Sequence, residues 1–247
     1  MARRDSGVHT SFVSGPARRE FEQQHITVPR SARYALLGAF DSDLSELWIV
    51  CHGHGQLAAR FLTRFLPLER DDRLIVAPEA LSRYYLTAPT SGAHSPGSAV
   101  GATWMTNEDR EAEIEDYVMY LDCLYEHIFA RVARNNVRLW ILGFSQGVAT
   151  ATRWITRSKI DADRVVLWSG SLPPELTRAD AGALTARAPL TVVSGRRDEY
   201  ATPERVTAQR DMLAGLGLTF EMISFDGGHD IDAATLARIA DGSAVTV

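Results

Sequence analysis

The amino-acid sequence predicts an α/β fold in which helices cover both faces of a mostly parallel central sheet. Short apolar runs such as residues 46–53 (ELWIVCHG) and 164–168 (RVVLW) have the length and composition of buried strands. Longer segments with helical spacing separate these runs, and this alternation is typical of parallel strands joined by right-handed crossovers. The chain of 247 residues is 45% hydrophobic and 23% charged, as expected for a globular protein with a substantial core.

The domain organisation follows from where this alternation begins. Residues 1–24 are polar and lack periodicity, which predicts a flexible N-terminal arm. Residues 25–247 contain neither an internal repeat nor a linker and are expected to form a single domain. Within it, residues 26–38 predict a hairpin or two edge strands. Further strands are expected at 46–53, 73–80, 138–142, 164–168, 190–194 and 219–225.

Two segments between the strands carry helical spacing. The stretch 56–68 predicts a short helix, and 108–133 predicts a long one with apolar residues at the helical period and acidic residues at its start. The segment 82–106 does not fit this alternation, because it is long, rich in Gly, Ser and Pro, and lacks periodicity. Such loops are usually functional or disordered, and the aromatic ends of this one favour a flap packed near a site.

Composition excludes several classes of partner. A net charge of −5 and a pI near 5.8 give no electrostatic footprint for nucleic acid or an anionic membrane. No apolar run is long enough to span a membrane, and the N-terminus lacks the apolar segment of a signal peptide, so a cytoplasmic location is expected. Cys51 and Cys123 lie in apolar patterns and are expected to be buried free thiols.

The stretch 139–154 (LWILGFSQGVATATRW) contains the motif that carries the chemistry. Ser145 stands between Gly143 and Gly147, after an apolar strand and before a helical pattern. G-x-S-x-G in this context is a nucleophile elbow, a sharp turn that exposes a serine at the carboxyl edge of the sheet. A glycine-rich turn with an incidental serine is the alternative.

A serine hydroxyl needs a base, and the base needs an orienting acid. His229 is the single histidine downstream of Ser145, and it follows a predicted strand in SFDGGHDI. Asp198, just past the strand at 190–194, is the favoured acid. Its nearest rival is Glu199, while Asp226 and Asp230 suit loop geometry or a helix cap better.

The loop after the strand at 46–53 predicts the oxyanion hole. The backbone N–H of His54 is the first choice of donor, with Gly55 second, and the N–H of Gln146 supplies the other. His52 and His54 could instead share a metal ion, but no Cys or carboxylate cluster accompanies them at ligand spacing. No metal or organic cofactor is therefore expected, and His52 is expected to support the loop through hydrogen bonds.

With these residues in place, the chain resembles the α/β-hydrolase superfamily, and within it the phospholipase/carboxylesterase family that includes acyl-protein thioesterases. The resemblance is carried by HG at 52–53, GFSQG at 143–147, LWSGSLP at 167–173, GRRD at 195–198 and GGH at 227–229. It implies Ser145, Asp198 and His229 as a catalytic triad, an α/β-hydrolase fold without a large cap domain, and backbone donors at His54 and Gln146. Val148 and Gln56 depart from the family pattern, which has a glycine and an acid there, and a bacterial-type carboxylesterase is the better match.

The predicted function is a serine carboxylesterase acting on short- to medium-chain acyl esters through an acyl-enzyme. Candidate lining residues of an acyl pocket are Phe144, Trp104, Met105, Trp168 and Tyr200, although core packing is the favoured role for most of them. An acyl thioesterase or lysophospholipase with the same triad is the runner-up. A non-catalytic binding protein on a hydrolase scaffold is the rival from another class. The expected partner is a small-molecule ester, and a homodimer is allowed for.

Overall fold

The computed structural model describes residues 24–41, 43–88, 93–187 and 189–242. The chain divides into two units, Met1–Ser31 and Ala32–Val247. In the first unit, the described residues 24–31 are exposed and have no regular secondary structure. The predicted arm, 1–24, lies outside the described residues except for Gln24, so its flexibility stays a prediction.

The second unit is built on a mostly parallel sheet. The strands are β1 (Tyr34–Leu37), β2 (Glu46–Cys51), β3 (Arg73–Pro78), β4 (Ser82–Tyr85), β5 (Val100–Thr103), β6 (Arg138–Phe144), β7 (Arg164–Trp168), β8 (Leu190–Gly195) and β9 (Phe220–Phe225). Within the described residues, seven of them form one sheet in the order β1-β3-β2-β6-β7-β8-β9. All neighbours pair in parallel except β1, which runs antiparallel to β3. This is the predicted α/β-hydrolase architecture.

At the edge of the sheet, the region 26–38 forms one strand, so the prediction of a hairpin or two edge strands is wrong. Only β1 pairs with the sheet. Pro29 lacks the N–H that a strand ladder needs, which disfavours a second strand in the preceding residues.

Helices flank the strands along the chain. They are α1 (Ala58–Leu62), α2 (Arg110–Phe129), α3 (Gln146–Ser158), α4 (Arg178–Ala181), α5 (Pro203–Gly215) and α6 (Ala233–Ala240). The expected helix at 56–68 is α only over its first part and continues as a 3-10 helix, Thr63–Leu68, which contains Pro67. The long helix is α2, which starts after Asp109 in a left-handed conformation.

Alternating strand residues build one core on each face of the sheet. Leu47, Ile49 and Cys51 of β2 belong to the core formed with α2 and α3, whereas Trp48 and Val50 belong to the core formed with α1 and α6. Successive side chains of a strand point to opposite faces, so a strand buried on both faces reads as a continuous apolar run. This two-sided burial explains why the sequence pattern of β2 shows no polar alternation.

The segment 82–106 contains an antiparallel hairpin, which its composition did not predict. Strands β4 and β5 pair with each other, and the hairpin bonds to the loop after β2 through a bridge between Gln56 and Ala102. Residues 89–92 lie outside the described chain. The pairing partners of these short strands are non-local, and this explains why periodicity within the segment did not reveal them.

Two further sequence expectations concern cysteines and membranes. Cys51 is a buried free thiol as expected, and burial raises its pKa to about 12. Cys123 is exposed, which corrects the expectation of burial, because it lies on the polar face of α2 between the buried Leu121 and Leu124. Among the helices that the structure describes, none is long and apolar enough to cross a membrane.

Candidate active site

The elbow between β6 and α3 places Ser145 in a strained conformation at the carboxyl edge of the sheet. Its φ of 54° and ψ of −119° lie in a region that residues with a side chain rarely adopt. The two flanking glycines are needed because the backbone approaches itself closely. A Cβ on Gly143 would lie 2.3 Å from the Gly147 carbonyl oxygen, and one on Gly147 would lie 2.1 Å from the Cys51 carbonyl oxygen. The turn therefore admits a side chain at Ser145 and at neither flank.

The structure brings Ser145, His229 and Asp198 into one hydrogen-bonded chain. His229 Nε2 lies 2.9 Å from Ser145 Oγ, and His229 Nδ1 lies 2.8 Å from Asp198 Oδ2. The Asp198 side chain is only 1% exposed, and its second oxygen accepts a hydrogen bond from the Tyr200 amide at 2.9 Å. With both carboxylate oxygens occupied, Asp198 holds the imidazole with its Nε2 towards the serine.

The rival acids lie elsewhere. Glu199 is exposed, although it is adjacent to Asp198 in sequence. Asp226 pairs with Arg197 at 3.3 Å, and Asp230 pairs with Arg64 at 2.5 Å. None of these three carboxylates is bonded to the His229 ring, so Asp198 is the acid that fits the arrangement.

The loop after β2 runs directly against the elbow and presents the predicted oxyanion donor. A Cβ on Gly53 would lie 3.0 Å from the Ser145 Cβ, so the two turns are in contact. Gly53 donates its N–H to the Gln56 side chain at 2.9 Å, and Gly55 donates its N–H to Ala102 at 2.8 Å. Among the described residues, no acceptor bonds the backbone N–H of His54.

The second predicted donor, the backbone N–H of Gln146, is the first amide of α3. It too lacks an acceptor within the described chain, as is usual for the first amides of a helix. The helix dipole adds a partial positive charge at the same end. Since His54 also lines the cavity at Ser145, both amides are suited to a negatively charged oxygen beside the serine.

His52 supports this loop from beneath. Its side chain is fully buried, and its Nε2 accepts the Ala80 N–H at 3.0 Å, so the ring proton must lie on Nδ1. Nδ1 then donates to the Gly53 carbonyl oxygen at 2.7 Å. Burial lowers the pKa of His52 and keeps the ring neutral. Because the Gly53 carbonyl and the His54 N–H belong to one planar peptide, His52 fixes the direction of that N–H.

The side chain of Gln146 ties the elbow to the hairpin. Its Oε1 accepts the Trp104 amide at 3.1 Å, and its Nε2 donates to the Met105 carbonyl at 2.8 Å. Trp104 in turn donates its indole N–H to the His52 carbonyl at 2.8 Å. The hairpin end thus contacts both turns that present backbone donors, a role that the sequence did not predict.

A cavity of about 570 Å³ opens at Ser145 and His229. Of the five predicted pocket residues, Tyr200 lines it. Phe144 and Trp168 are buried in the core on the α1 and α6 face, and Trp104 is buried in the other core. Met105 is half-buried, and it too lies outside the cavity wall. These four assignments are corrected: strand alternation turns Phe144 and Trp168 into the core on the α1 and α6 face of the sheet.

The apolar lining that sequence reasoning missed comes from α3, the segment after β7, strands β8 and β9, and α5 with the loop before it. It consists of Ala149, Leu172, Pro173, Pro174, Val192, Val193, Ala201, Val206 and Met222. The stretch LWSGSLP already marked the first part of this wall by following a strand at the site edge. Val206 carried no comparable signal, since it lies on a helix whose approach to the site depends on the fold.

The cavity wall also contains charge. Arg153 of α3 is buried and donates to both oxygens of Glu175, at 2.6 and 3.3 Å. Burial is the largest single influence and alone would raise the pKa of Glu175, but the hydrogen bonds from Arg153, a backbone hydrogen bond and the charges of Arg153 and Arg110 together bring that pKa to about 2. Among the described residues, no cluster of three or more potential ligands could hold a metal ion.

Comparison with known proteins adds a family match and structural neighbours. The model of the family described as Phospholipase/Carboxylesterase matches residues 40–242. No curated protein matches the chain significantly in sequence.

Three solved structures illustrate the similarity in fold. Esterase PE8 is 20% identical, with a TM-score of 0.62 over 86% of this chain and 99% of that one. Acyl-protein thioesterase 2 from Zea mays is 17% identical, with a TM-score of 0.60 over 86% and 97%. A carboxylesterase from Mesorhizobium loti is 17% identical, with a TM-score of 0.62 over 86% and 95%.

Proposed function

Because the chain belongs to the phospholipase/carboxylesterase family of α/β-hydrolases, we propose that it is a serine carboxylesterase. The observation that carries this proposal is the hydrogen-bonded chain Ser145–His229–Asp198, with distances of 2.9 and 2.8 Å. Nucleophile, base and orienting acid are in contact without any rearrangement, as acyl transfer requires.

The proposed reaction has two steps. In the first, Ser145 Oγ attacks the ester carbonyl and gives its proton to His229 Nε2, and the tetrahedral intermediate collapses as His229 protonates the leaving alcohol. In the second, His229 takes a proton from water as it attacks the acyl-enzyme, then gives that proton to Ser145 Oγ as the bond to the acyl group breaks and the carboxylic acid leaves. Asp198 stabilises the imidazolium without taking its proton.

The amides of His54 and Gln146 are the proposed oxyanion hole. Both N–H groups are without acceptors in the described chain and flank Ser145, so they are available when negative charge develops on the carbonyl oxygen. Such donors act through geometry fixed beforehand, and here His52 and the hairpin supply that fixation. No metal or organic cofactor takes part in the proposal.

The cavity favours short- to medium-chain acyl groups. Its volume of about 570 Å³ is that of a small-molecule site, and no large cap domain encloses it. A thioesterase or lysophospholipase would use the same three residues, since thioester and ester carbonyls need the same nucleophile and oxyanion donors. A cytoplasmic location and a homodimer stay predictions of the sequence.

The test is hydrolysis of p-nitrophenyl esters from acetate to palmitate by the wild type and by Ser145→Ala. Turnover should peak at short or medium chains and be lost in Ser145→Ala, while Ser158→Ala, which alters a serine at the far end of α3, serves as a matched control. Chelators should leave the rate unchanged. If the wild-type protein hydrolyses neither esters nor thioesters, and Ser145 does not react with a fluorophosphonate probe, the result would instead favour a binding protein.

A further inference from the structure

The charge of the cavity wall indicates the kind of ester that it fits. Two arginines line the cavity, Arg153 and Arg205. Asp198 is the single carboxylate among the lining residues that the structure describes, and its two oxygens are taken by His229 and the Tyr200 amide. The wall therefore presents more positive than available negative charge.

Arg205 carries the clearest unbalanced charge. Its guanidinium donates to the Tyr200 carbonyl at 3.2 Å, and no carboxylate of the described chain forms an ion pair with it. Tyr200 also contacts the His229 ring, with ring centroids 4.7 Å apart. Arg205 and His229 therefore contact the same residue, Tyr200. Arg205 is exposed and lines the cavity, so its side chain is accessible to a ligand there.

The charge of Arg153 is only partly balanced by Glu175. Arg110 donates to the same Glu175 at 3.1 Å, and Arg157 and Arg110 share Glu111. Three arginines in this chain of ion pairs thus face two glutamates. The side chain of Arg153 is the most buried of the three, with 6% of its surface exposed. Arg153 lines the cavity two turns along α3 from Gln146.

We propose that the substrate is an ester that carries a carboxylate, which Arg153 and Arg205 bind while Ser145 attacks the ester carbonyl. The inference rests on the proposed esterase function and specifies its substrate class. Gln146 and Arg153 are separated by roughly 10 Å along α3, so a chain of several carbons would join the two groups of the substrate. The carboxylate belongs to either the acyl or the alcohol side of the ester.

The experiment compares esters that differ in this charge alone. On the acyl side, monoethyl adipate and monoethyl suberate are compared with ethyl hexanoate and ethyl octanoate. On the alcohol side, hydroxyhexanoate acetylated on its hydroxyl is compared with hexyl acetate. Acid release in a pH-stat gives kcat/KM for each. We expect the charged ester of one arm to be preferred by about tenfold or more, as for a close charge pair in a binding site.

Three variants assign the preference to the arginines. Arg205→Gln should reduce the ratio of charged to neutral kcat/KM towards one, and raising the salt concentration should reduce it in the wild type. Arg153→Lys keeps the charge but loses the two-point contact with Glu175, and it should lower the ratio less. Arg210→Gln, an exposed arginine of α5 outside the cavity wall, is the control that keeps the ratio.

The outcomes separate the inference from the proposed function. The inference would be overturned if the wild type hydrolysed the neutral esters as well as or better than the charged ones and Arg205→Gln had the same ratio of charged to neutral kcat/KM as the wild type. The proposed carboxylesterase function would still stand. If no ester is hydrolysed, the proposed function fails, and calorimetry of adipate binding decides the inference: adipate should bind the wild type and bind Arg205→Gln at least about tenfold more weakly. Absence of adipate binding in that case would overturn it.

Discussion

The backbone N–H of Ala80, two residues after β3, donates to Nε2 of His52 at 3.0 Å. This bond places the ring proton on Nδ1, which donates to the Gly53 carbonyl oxygen at 2.7 Å. The Gly53 carbonyl and the His54 N–H belong to the same planar peptide. The bond between the buried residues Ala80 and His52 therefore fixes the direction of the His54 N–H beside Ser145.

We expect His52→Ala to lower kcat with little change in KM, because a misdirected oxyanion donor weakens binding of the transition state more than that of the substrate. The loss should not exceed that of a missing donor, about 10²- to 10³-fold. His52→Asn should retain more activity, since its amide N–H can replace Nδ1. Steady-state kinetics on one p-nitrophenyl ester tests this, with His127→Gln on α2 as the control. Equal kcat in His52→Ala and the control would contradict the positioning role.

The same histidine makes stability depend on pH. Its folded pKa lies below the ordinary value of 6.5, because burial disfavours the charged ring. The unfolded chain therefore binds the proton first, and the free energy of unfolding should fall as pH drops below about 6.5, by at most ~1.4 kcal/mol per pH unit. Urea unfolding between pH 5 and 7.5 measures it, and His52→Asn should flatten this slope. An unchanged slope in the variant would assign the effect to another group.

Releasing the backbone strain at Ser145 should raise the free energy of unfolding. Ser145 has a φ of 54° and a ψ of −119°, and Ser145→Gly removes the Cβ that makes this conformation strained. The free energy of unfolding of this variant should be about 1–3 kcal/mol higher than that of the wild type, while its esterase activity is lost. Ser145→Ala keeps the Cβ and should lose activity without this gain. Thermal and urea unfolding of the two inactive variants provides the comparison. Equal stability of the pair would show that the elbow stores no strain of this size.

The hairpin should matter to activity through Gln146. Gln146→Met keeps the backbone N–H but removes the side-chain bonds to the Trp104 amide and the Met105 carbonyl. A buried amide without a partner costs about 1–3 kcal/mol, so the free energy of unfolding should fall by that order. Loosening of the segment should also lower kcat/KM. Unfolding and kinetics on the same preparation test both effects, and full activity at reduced stability would confine the side chain to a structural role.

The sequence by itself predicted the fold class and the Ser145–His229 pair. Continuous apolar runs predict a parallel sheet because burial on both faces removes polar alternation. Gly143 and Gly147 indicate the elbow because the close backbone approach is a local requirement. His229 was identified because the chain holds no other histidine downstream of Ser145.

Only the tertiary structure decided the remaining features, because they depend on contacts between segments far apart in sequence. Asp198 and Glu199 are neighbours and chemically alike, yet one faces His229 and the other faces solvent. Four of the five aromatic or sulfur-containing pocket candidates lie outside the cavity wall. The apolar wall comes instead from the segment after β7, from α3, β8 and β9, and from α5, whose distance from Ser145 is set by how it packs on the sheet. Local pattern determines the turn that exposes a nucleophile, and packing determines what surrounds it.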